Sequence, residues 1–254
     1  MKVIIIGGGI VGLSTAWALA RSGHEALLFE QGPLPHDGGA SYDQHRLIRL
    51  PYADQIGYCA MVVDAFKAWQ RLWDDLGESP YAEVGSLALS FEEGDWTDLS
   101  RQTLDHLSLD YATLDRRQVE ELCPFMKVPE NVWGLYNEVG GALFAGRIVE
   151  ALIRDLRRRG VKLREETRIV GVDPAAGAVT LENGKRETAD AIVVAAGAWT
   201  AKLFPELQRR AVPHRQVVAY MQAPEAHAES WAKAPVMAHL LNEVDVYAAP
   251  PAGG

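Results

Sequence analysis

Three glycines near the start of the chain have the spacing of a turn that binds a dinucleotide. Gly7, Gly9 and Gly12 follow an apolar run over residues 2–6. The first glycine lets the chain turn sharply, the second lets the backbone approach a pyrophosphate, and the third lets a helix pack close to a strand. Glu30 follows at about the expected distance of 20 residues, where a carboxylate accepts hydrogen bonds from ribose hydroxyls. The spacing predicts binding of the ADP half of NAD or FAD.

The elements around these residues are the ones that such a turn needs. Residues 2–6 predict a buried parallel strand, 10–22 a helix, and 25–29 a second strand. The helix N-terminus at Ile10 would present free N–H groups and a positive dipole end to the phosphates. The alternative is a glycine-rich turn in another kind of α/β protein, and the strand, helix and acid together disfavour it.

Two arginines, Arg46 and Arg49, follow a long loop rich in Gly, Pro and Asp. A loop of this length inside a domain is usually functional. A guanidinium group binds a carboxylate through two parallel charge-assisted hydrogen bonds, which makes Arg49 a candidate for holding a substrate carboxylate. The alternative for Arg49 is a surface or interdomain salt bridge, and the alternative for Arg46 is a structural role.

Further along the chain, helical and strand patterns alternate. Apolar periodicity and capping residues predict helices over 57–76, 92–107, 115–122 and 146–159, with Asp115 as an N-cap. A half-buried strand is predicted after Tyr81, and short strands at 134–136 and 142–144 around a Gly140-Gly141 turn. Later strands are predicted at 161–163, 169–172, 178–181, 191–195 (of the buried parallel type), 216–222 and 245–248, with a type I′ turn at Asn183-Gly184.

Bulk composition excludes some classes of protein. The 254 residues are 48% hydrophobic and 23% charged, which is ordinary for a globular protein. The net charge of −9 argues against nucleic acid or an anionic membrane surface as a partner. No apolar run has the length of a membrane span. Cys59 and Cys123 read as buried thiols of a reducing compartment, which predicts a cytoplasmic protein. Nothing in the sequence indicates a metal site or an oligomeric state.

Three segments together resemble the FAD-dependent amine oxidoreductases of the D-amino-acid oxidase superfamily, and most closely its monomeric sarcosine oxidase branch. They are GGGIVGLSTAWALARSGHEALLFE, the loop GGASYDQHRLIRLPYAD, and DAIVVAAGAWTAKL followed by VPHRQVVAY. The first is shared by many flavoproteins, and the other two are more specific. The resemblance implies an α/β fold in which a Rossmann-type, glutathione-reductase-like FAD-binding domain (1–80 and 142–212) carries an inserted α+β substrate domain (81–141 and 213–254).

The resemblance also implies roles for individual residues. Arg46 would pack over the flavin ring, Arg49 would bind the substrate carboxylate, and Tyr247 would line the substrate pocket. Tyr247 is otherwise an ordinary strand aromatic, and no residue is assigned as a general base. The residues expected to contact FAD are Gly7, Gly9, Ile10, Gly12, Glu30, Gln31, Ser41, Arg46, Ile169, Ala196, Gly197 and Trp199.

The activity implied is oxidation of the C–N bond of an amino acid or N-methyl amino acid, by hydride transfer to flavin, with oxygen or another acceptor re-oxidising the flavin. Two alternatives stay open: an FAD-dependent dehydrogenase of 2-hydroxy acids or glycerol phosphate, and a truncated, non-catalytic flavin- or nucleotide-binding remnant. Members of the branch continue for about another hundred residues. We therefore expect the domain pair to be incomplete at the C-terminus.

Overall fold

The computed structural model of the protein describes residues 1–242 and 246–251. The chain divides into a first unit, 1–44 with 145–218, and a second unit, 45–144 with the residues from 219 onward. The helices are α1 (Ile10–Arg21), α2 (Ile56–Leu76), α3 (Trp96–His106), α4 (Arg116–Leu122), α5 (Ala145–Arg158), α6 (Thr200–Leu203) and α7 (Ala228–Ala232). The strands are β1 (Lys2–Ile6), β2 (Glu25–Phe29), β3 (Arg46–Arg49), β4 (Tyr81–Glu83), β5 (Ser86–Ser90), β6 (Ala112–Leu114), β7 (Trp133–Asn137), β8 (Gly140–Leu143), β9 (Lys162–Arg164), β10 (Ile169–Asp173), β11 (Ala178–Leu181), β12 (Arg186–Thr188), β13 (Ala191–Val194) and β14 (Val236–Ala238).

The first unit is built on a parallel sheet with the strand order β13–β1–β2–β9. Ile4 in β1 lies opposite Ile192 in β13 and Leu27 in β2. Apart from their first residues, β1 and β2 are buried, as expected of central parallel strands covered on both faces. The predicted strand–turn–helix–strand unit and the α/β class are confirmed.

The strand β13 departs from its prediction in one respect. It is parallel to β1, as predicted, but all four of its residues are only half-buried. The reason is its position, because β13 is the outer strand of the sheet within the described part of the chain. An outer strand has a sheet neighbour on one side only, so it is covered less completely than a central strand.

A second, antiparallel sheet of the first unit has the order β10–β11–β12. Its apolar side chains, such as Ile169 and Val179, form one core with Ile4 and Leu27 of the parallel sheet. The predicted type I′ turn between β11 and β12 is wrong. Gly184 has a φ of +83°, but Asn183 is not among the residues with positive φ, which type I′ requires at both central positions.

The second unit contains two further sheets. One has the order β14–β5–β7–β6, and the other is antiparallel with the order β3–β8–β4. The prediction of a half-buried strand after Tyr81 is corrected, because every residue of β5 is buried. The predicted turn at Gly140-Gly141 is also wrong. Both glycines belong to β8, and they pair with Arg49 and Ile48 of β3.

Two helices of this unit begin or end at residues that are typical of helix caps. Gly77 ends α2 in the left-handed conformation, with a φ of +71°. The predicted N-cap Asp115 is confirmed: its carboxylate accepts the Gln118 N–H, and the Gln118 side chain accepts the Asp115 N–H, which together form a capping box.

The last segment of the chain differs most from its prediction. Residues 216–222, predicted as a strand, have no regular structure and are largely exposed. Asp245 of the strand predicted at 245–248 lies outside the described residues, while Ala248 forms an isolated antiparallel bridge with Met237. None of the helices in the described ranges combines the length and apolar character needed to cross a membrane.

Candidate functional site

The glycine turn between β1 and α1 leaves no room for side chains at two of its positions. Gly7 has a φ of +113°, and a Cβ atom there would lie 2.4 Å from the carbonyl oxygen of Ala195. A Cβ atom on Gly12 would lie 1.9 Å from the carbonyl oxygen of Gly7. The first glycine therefore permits contact with the end of β13, and the third permits α1 to pack against the turn.

The N-terminus of α1 is open to an oxygen ligand. Its N-cap, Gly9, has no side chain to accept from the free N–H groups of the first turn. The Ser41 Oγ atom accepts the Ile10 N–H at 2.9 Å instead, and it lies 3.0 Å from where a Cβ atom on Gly9 would be. Backbone N–H groups at a helix N-terminus, with a hydroxyl beside them, suit a pyrophosphate.

The acid at the end of β2 has a structural role that the sequence did not reveal. Glu30 is buried, at 7% exposure, although it is a carboxylate. Its Oε2 atom accepts the Gly8 N–H at 2.7 Å, and its Oε1 atom accepts the Gly32 N–H at 3.0 Å. Each oxygen keeps a second lone pair for another donor. Glu30 thus fixes the turn and keeps an acceptor for a ribose hydroxyl, whereas the side chain of Gln31 is exposed.

The chain after β13 also lies beside the glycine turn. Ala195 donates its N–H to Ile6 O, and Gly197 has a φ of +51° in a short 3-10 turn that ends at Trp199. The Trp199 ring packs edge-on against His36, with 5.9 Å between the ring centroids. His36 was not predicted as a site residue, and no motif spacing indicates it.

The adenine contact predicted for Ile169 concerns its backbone. Its side chain is 6% exposed and belongs to the core of the first unit, so only the backbone is a candidate for that contact. Gly7, Gly9, Ile10, Gly12, Glu30, Ser41, Ala196 and Gly197 therefore lie around one turn of the first unit or on the segments beside it. Their close-packed backbone and hydrogen-bond donors fit the ADP half of a dinucleotide.

The two candidate arginines belong to the second unit and share the strand β3. Because successive side chains of a strand alternate in direction, residues three apart point to opposite faces. The sequence placed Arg46 and Arg49 in a loop, where this difference could not be seen. The Arg46 Nη1 group donates to the His45 carbonyl at 2.7 Å.

The Arg49 guanidinium lies against two aromatic rings. Its Cζ atom is 4.4 Å from the Tyr52 ring centroid and 5.2 Å from the Trp96 ring centroid. Its Nη1 group donates to the Pro51 carbonyl at 3.1 Å. Across residues 1–242 and 246–251, the structure gives Arg49 no carboxylate partner. The surface salt bridge considered for Arg49 is therefore absent from this part of the chain, and the guanidinium keeps N–H groups for an anion.

Trp96 and its neighbour His239 were missed by the sequence analysis. Trp96 begins α3, and its ring packs at 5.8 Å against His239. Neither residue is close in sequence to Arg49, so no local pattern could have linked them. Of the residues around Arg49, only Tyr52 could have been found from the sequence, because it lies three residues after Arg49.

The predicted pocket residue Tyr247 and a second tyrosine, Tyr42, differ in their surroundings. Tyr247 is 46% exposed, and within the described ranges it has no hydrogen bond or ring contact. Tyr42, in the first unit, donates to the Glu150 carboxylate at 3.0 Å. That hydrogen bond to an anion raises the pKa of Tyr42 above its ordinary value, so the phenol stays protonated and acts as a donor.

Comparisons with known proteins agree on one family. The family model described as DAO, FAD dependent oxidoreductase, matches residues 2–254. Peroxisomal sarcosine oxidase of Homo sapiens is 28% identical over 204 residues, which cover 80% of this chain and 52% of that protein. Monomeric sarcosine oxidase of Bacillus sp. (strain B-0618) is 26% identical over 228 residues, which cover 88% of this chain and 58% of that protein.

A solved structure of NikD, described as an unusual amino acid oxidase essential for nikkomycin biosynthesis, is similar with a TM-score of 0.69. It is 26% identical, and the match covers 81% of this chain and 53% of NikD. The chain spans about half the length of the curated relatives it matches. Because the family model extends over nearly all of its residues, the chain belongs to the DAO family of FAD-dependent oxidoreductases, and FAD is its cofactor.

Proposed function

We propose that this protein takes part in oxidising the C–N bond of an amino acid or N-methyl amino acid. The observation that carries the proposal is the half-buried Arg49 guanidinium, which has two aromatic rings beside it and no carboxylate partner in the described residues. In a chain of this family, a cation with unused N–H groups suits a substrate that carries a carboxylate. The names of its sarcosine oxidase relatives support the same substrate class.

Each candidate residue has a separate role in the proposal. Arg49 binds the substrate carboxylate through two N–H groups and so fixes the position of the carbon next to nitrogen. Arg46 would supply a positive charge beside the flavin ring, where it would favour negative charge on that ring. Tyr247 contributes a phenol to the substrate pocket. The cofactor domain is proposed to comprise 1–80 and 142–212, and the substrate domain 81–141 and 213–254.

FAD supplies a two-electron acceptor for the hydride equivalent that leaves the carbon next to nitrogen. The amine must be neutral when it reacts, because its lone pair forms the imine double bond. Water then converts the imine to a carbonyl compound and an amine. Oxygen or another electron acceptor would be the second substrate. A cytoplasmic location completes the proposal, and the free thiols Cys59 and Cys123 support a reducing compartment.

Anaerobic reduction of protein-bound flavin tests the proposed substrate class. Sarcosine, another N-methyl amino acid, lactate and glycerol phosphate are added separately to the flavin-loaded chain, and to a longer product if its reading frame continues past Gly254. We expect loss of the visible flavin absorbance with the amino acids alone. Bleaching by lactate or glycerol phosphate would support the dehydrogenase alternative. Bound flavin that no compound reduces, in either product, would support a non-catalytic protein.

A further inference from the structure

The rings beside Arg49 are held in place by their own contacts. Trp96 is the first residue of α3, and its helix is capped by Asp95, whose carboxylate accepts the N–H groups of Thr97 at 3.0 Å and Asp98 at 2.9 Å. The same carboxylate accepts the Phe91 N–H at 2.7 Å. The backbone that carries Trp96 is therefore fixed on both sides of the cap.

The Trp96 ring is held from a distant part of the second unit. It packs against His239, with centroids 5.8 Å apart and planes 41° apart. The His239 Nδ1 atom lies 2.8 Å from the Leu89 carbonyl oxygen, and because that oxygen is only an acceptor, Nδ1 carries the proton. His239 has a φ of +49°, which is rare for a residue other than glycine. An unusual backbone conformation and a partly buried hydrogen bond thus place the imidazole against Trp96.

The contacts of Arg49 restrict where its guanidinium lies, because its Cζ atom is over both the Tyr52 and the Trp96 rings. A ring face attracts the cation electrostatically, and the contact does not require an N–H group to form a hydrogen bond. The Pro51 carbonyl takes one N–H. The described residues leave the remaining N–H groups for a planar anion, and a group held in this way loses little freedom when it binds one.

We propose that Trp96 is a positioning residue for carboxylate binding: it holds the Arg49 guanidinium in the position from which its N–H groups meet the substrate. The proposal rests on the proposed function of Arg49. His239 acts indirectly: it orients the Trp96 ring, which in turn positions Arg49. The ligand class is a small carboxylate, and FAD content serves as a separate measurement, because Trp96 is not among the residues expected to contact FAD.

The test measures sarcosine binding by calorimetry, and FAD content separately, in wild type, Trp96→Leu, Trp96→Phe and Arg49→Lys. Trp96→Leu should weaken sarcosine binding about three- to tenfold, with FAD content unchanged. Trp96→Phe keeps an aromatic face and should restore most of the affinity, which a general loss of packing would not explain. Trp69→Leu is the matched control, since Trp69 stacks on Trp73 at 5.0 Å, and it should leave sarcosine affinity unchanged.

The outcomes separate the two claims. If Arg49→Lys leaves sarcosine affinity unchanged, the proposed function of Arg49 is wrong. If Arg49→Lys weakens binding but Trp96→Leu does not, the positioning role is wrong and the function stands. In the Arg49→Lys background, Trp96→Leu should have a smaller effect than alone, because the group it positions is gone. If Trp96→Leu does not fold, Trp96→Phe decides: a small loss of affinity supports the role, and a loss equal to that of Arg49→Lys overturns it.

Discussion

The Glu30 carboxylate accepts the backbone N–H of Gly8 across a distance of 2.7 Å. Its second oxygen accepts the N–H of Gly32, so one buried side chain connects the turn before α1 to the segment after β2. The motif spacing assigns this acid to a ribose. In the structure, this acid also stabilises the turn through two hydrogen bonds from backbone N–H groups of the protein itself.

Glu30→Gln should lower the free energy of unfolding by about 1–3 kcal/mol, because an amide NH₂ would replace an acceptor beside a backbone N–H. Denaturant unfolding of the chain without FAD measures this loss apart from any ribose contact. Glu25→Gln is the control on the same strand: Glu25 is exposed and pairs with Lys162 at 2.9 Å, so its replacement should change stability little. Equal stability of Glu30→Gln and wild type would contradict the bracing role.

Arg49→Lys should weaken binding of carboxylate substrates about ten- to a hundredfold while FAD content stays the same. Lysine keeps the charge, but it lacks the planar fork that makes two parallel hydrogen bonds and stacks on a ring. Substrate affinity and the flavin spectrum are measured on the same sample. Arg71→Lys, at an exposed position of α2, is the matched control and should behave as wild type. Loss of flavin in Arg49→Lys would show that this arginine serves the cofactor or the fold.

How far the sequence could predict this fold depended on whether the signal was local. The β1–α1–β2 unit and the Asp115 cap were predicted because each is encoded within a few residues. The half-burial of β13 was not predicted, because it depends on which strand lies beside it. The Gly140-Gly141 pair was taken for a turn because glycine is common in turns, yet here both residues lie in a strand with φ values of +139° and +157°.

The candidate site shows the same limit. The glycines and Glu30 could be found from spacing, whereas Trp96 contacts Arg49, and His239 contacts Trp96, only through the tertiary fold. A single tryptophan at the start of a polar helix has no pattern that indicates a ligand. Contacts between residues far apart in the chain therefore account for what the sequence analysis missed.

Asp98 predicts a pH dependence of stability. Its carboxylate accepts hydrogen bonds from Arg101 at 2.8 Å and from the Gly94 N–H at 3.0 Å, and these contacts, the Arg101 bond foremost, hold the pKa of Asp98 below its ordinary value. Because the folded-state pKa is the lower one, the stabilisation is complete above the unfolded-state pKa of about 3.9 and is lost as pH falls through the folded-state value.

Asp98→Asn should therefore cost about 1–2 kcal/mol near neutral pH, and the difference from wild type should shrink below about pH 4. Denaturant unfolding of Asp98→Asn and wild type at a series of pH values measures this difference in stability. Asp64→Asn, which removes only an exposed pair with Lys67, should show little change at any pH. A cost for Asp98→Asn that is the same at acid and neutral pH would argue against the ionic contact.

The two cysteines should be inert in the folded protein. Both are fully buried, and burial raises the pKa of Cys123 to about 11 and that of Cys59 in the same direction. Since the thiolate is the reactive form, a thiol reagent at about pH 8 should modify neither residue until the protein is unfolded. Rapid modification of either thiol under native conditions would show that its surroundings are more open than described.

The central claim, that the glycine turn of the first unit binds FAD, is tested most directly by titrating FAD into the purified chain. FAD fluorescence gives the dissociation constant for wild type, Gly12→Ala and the control Gly57→Ala. A Cβ atom on Gly12 would lie 1.9 Å from the Gly7 carbonyl oxygen, whereas one on Gly57 meets nothing within 4 Å. We expect saturable binding by wild type and Gly57→Ala, and affinity reduced about tenfold or more in a folded Gly12→Ala. Wild-type affinity in Gly12→Ala would contradict the claim.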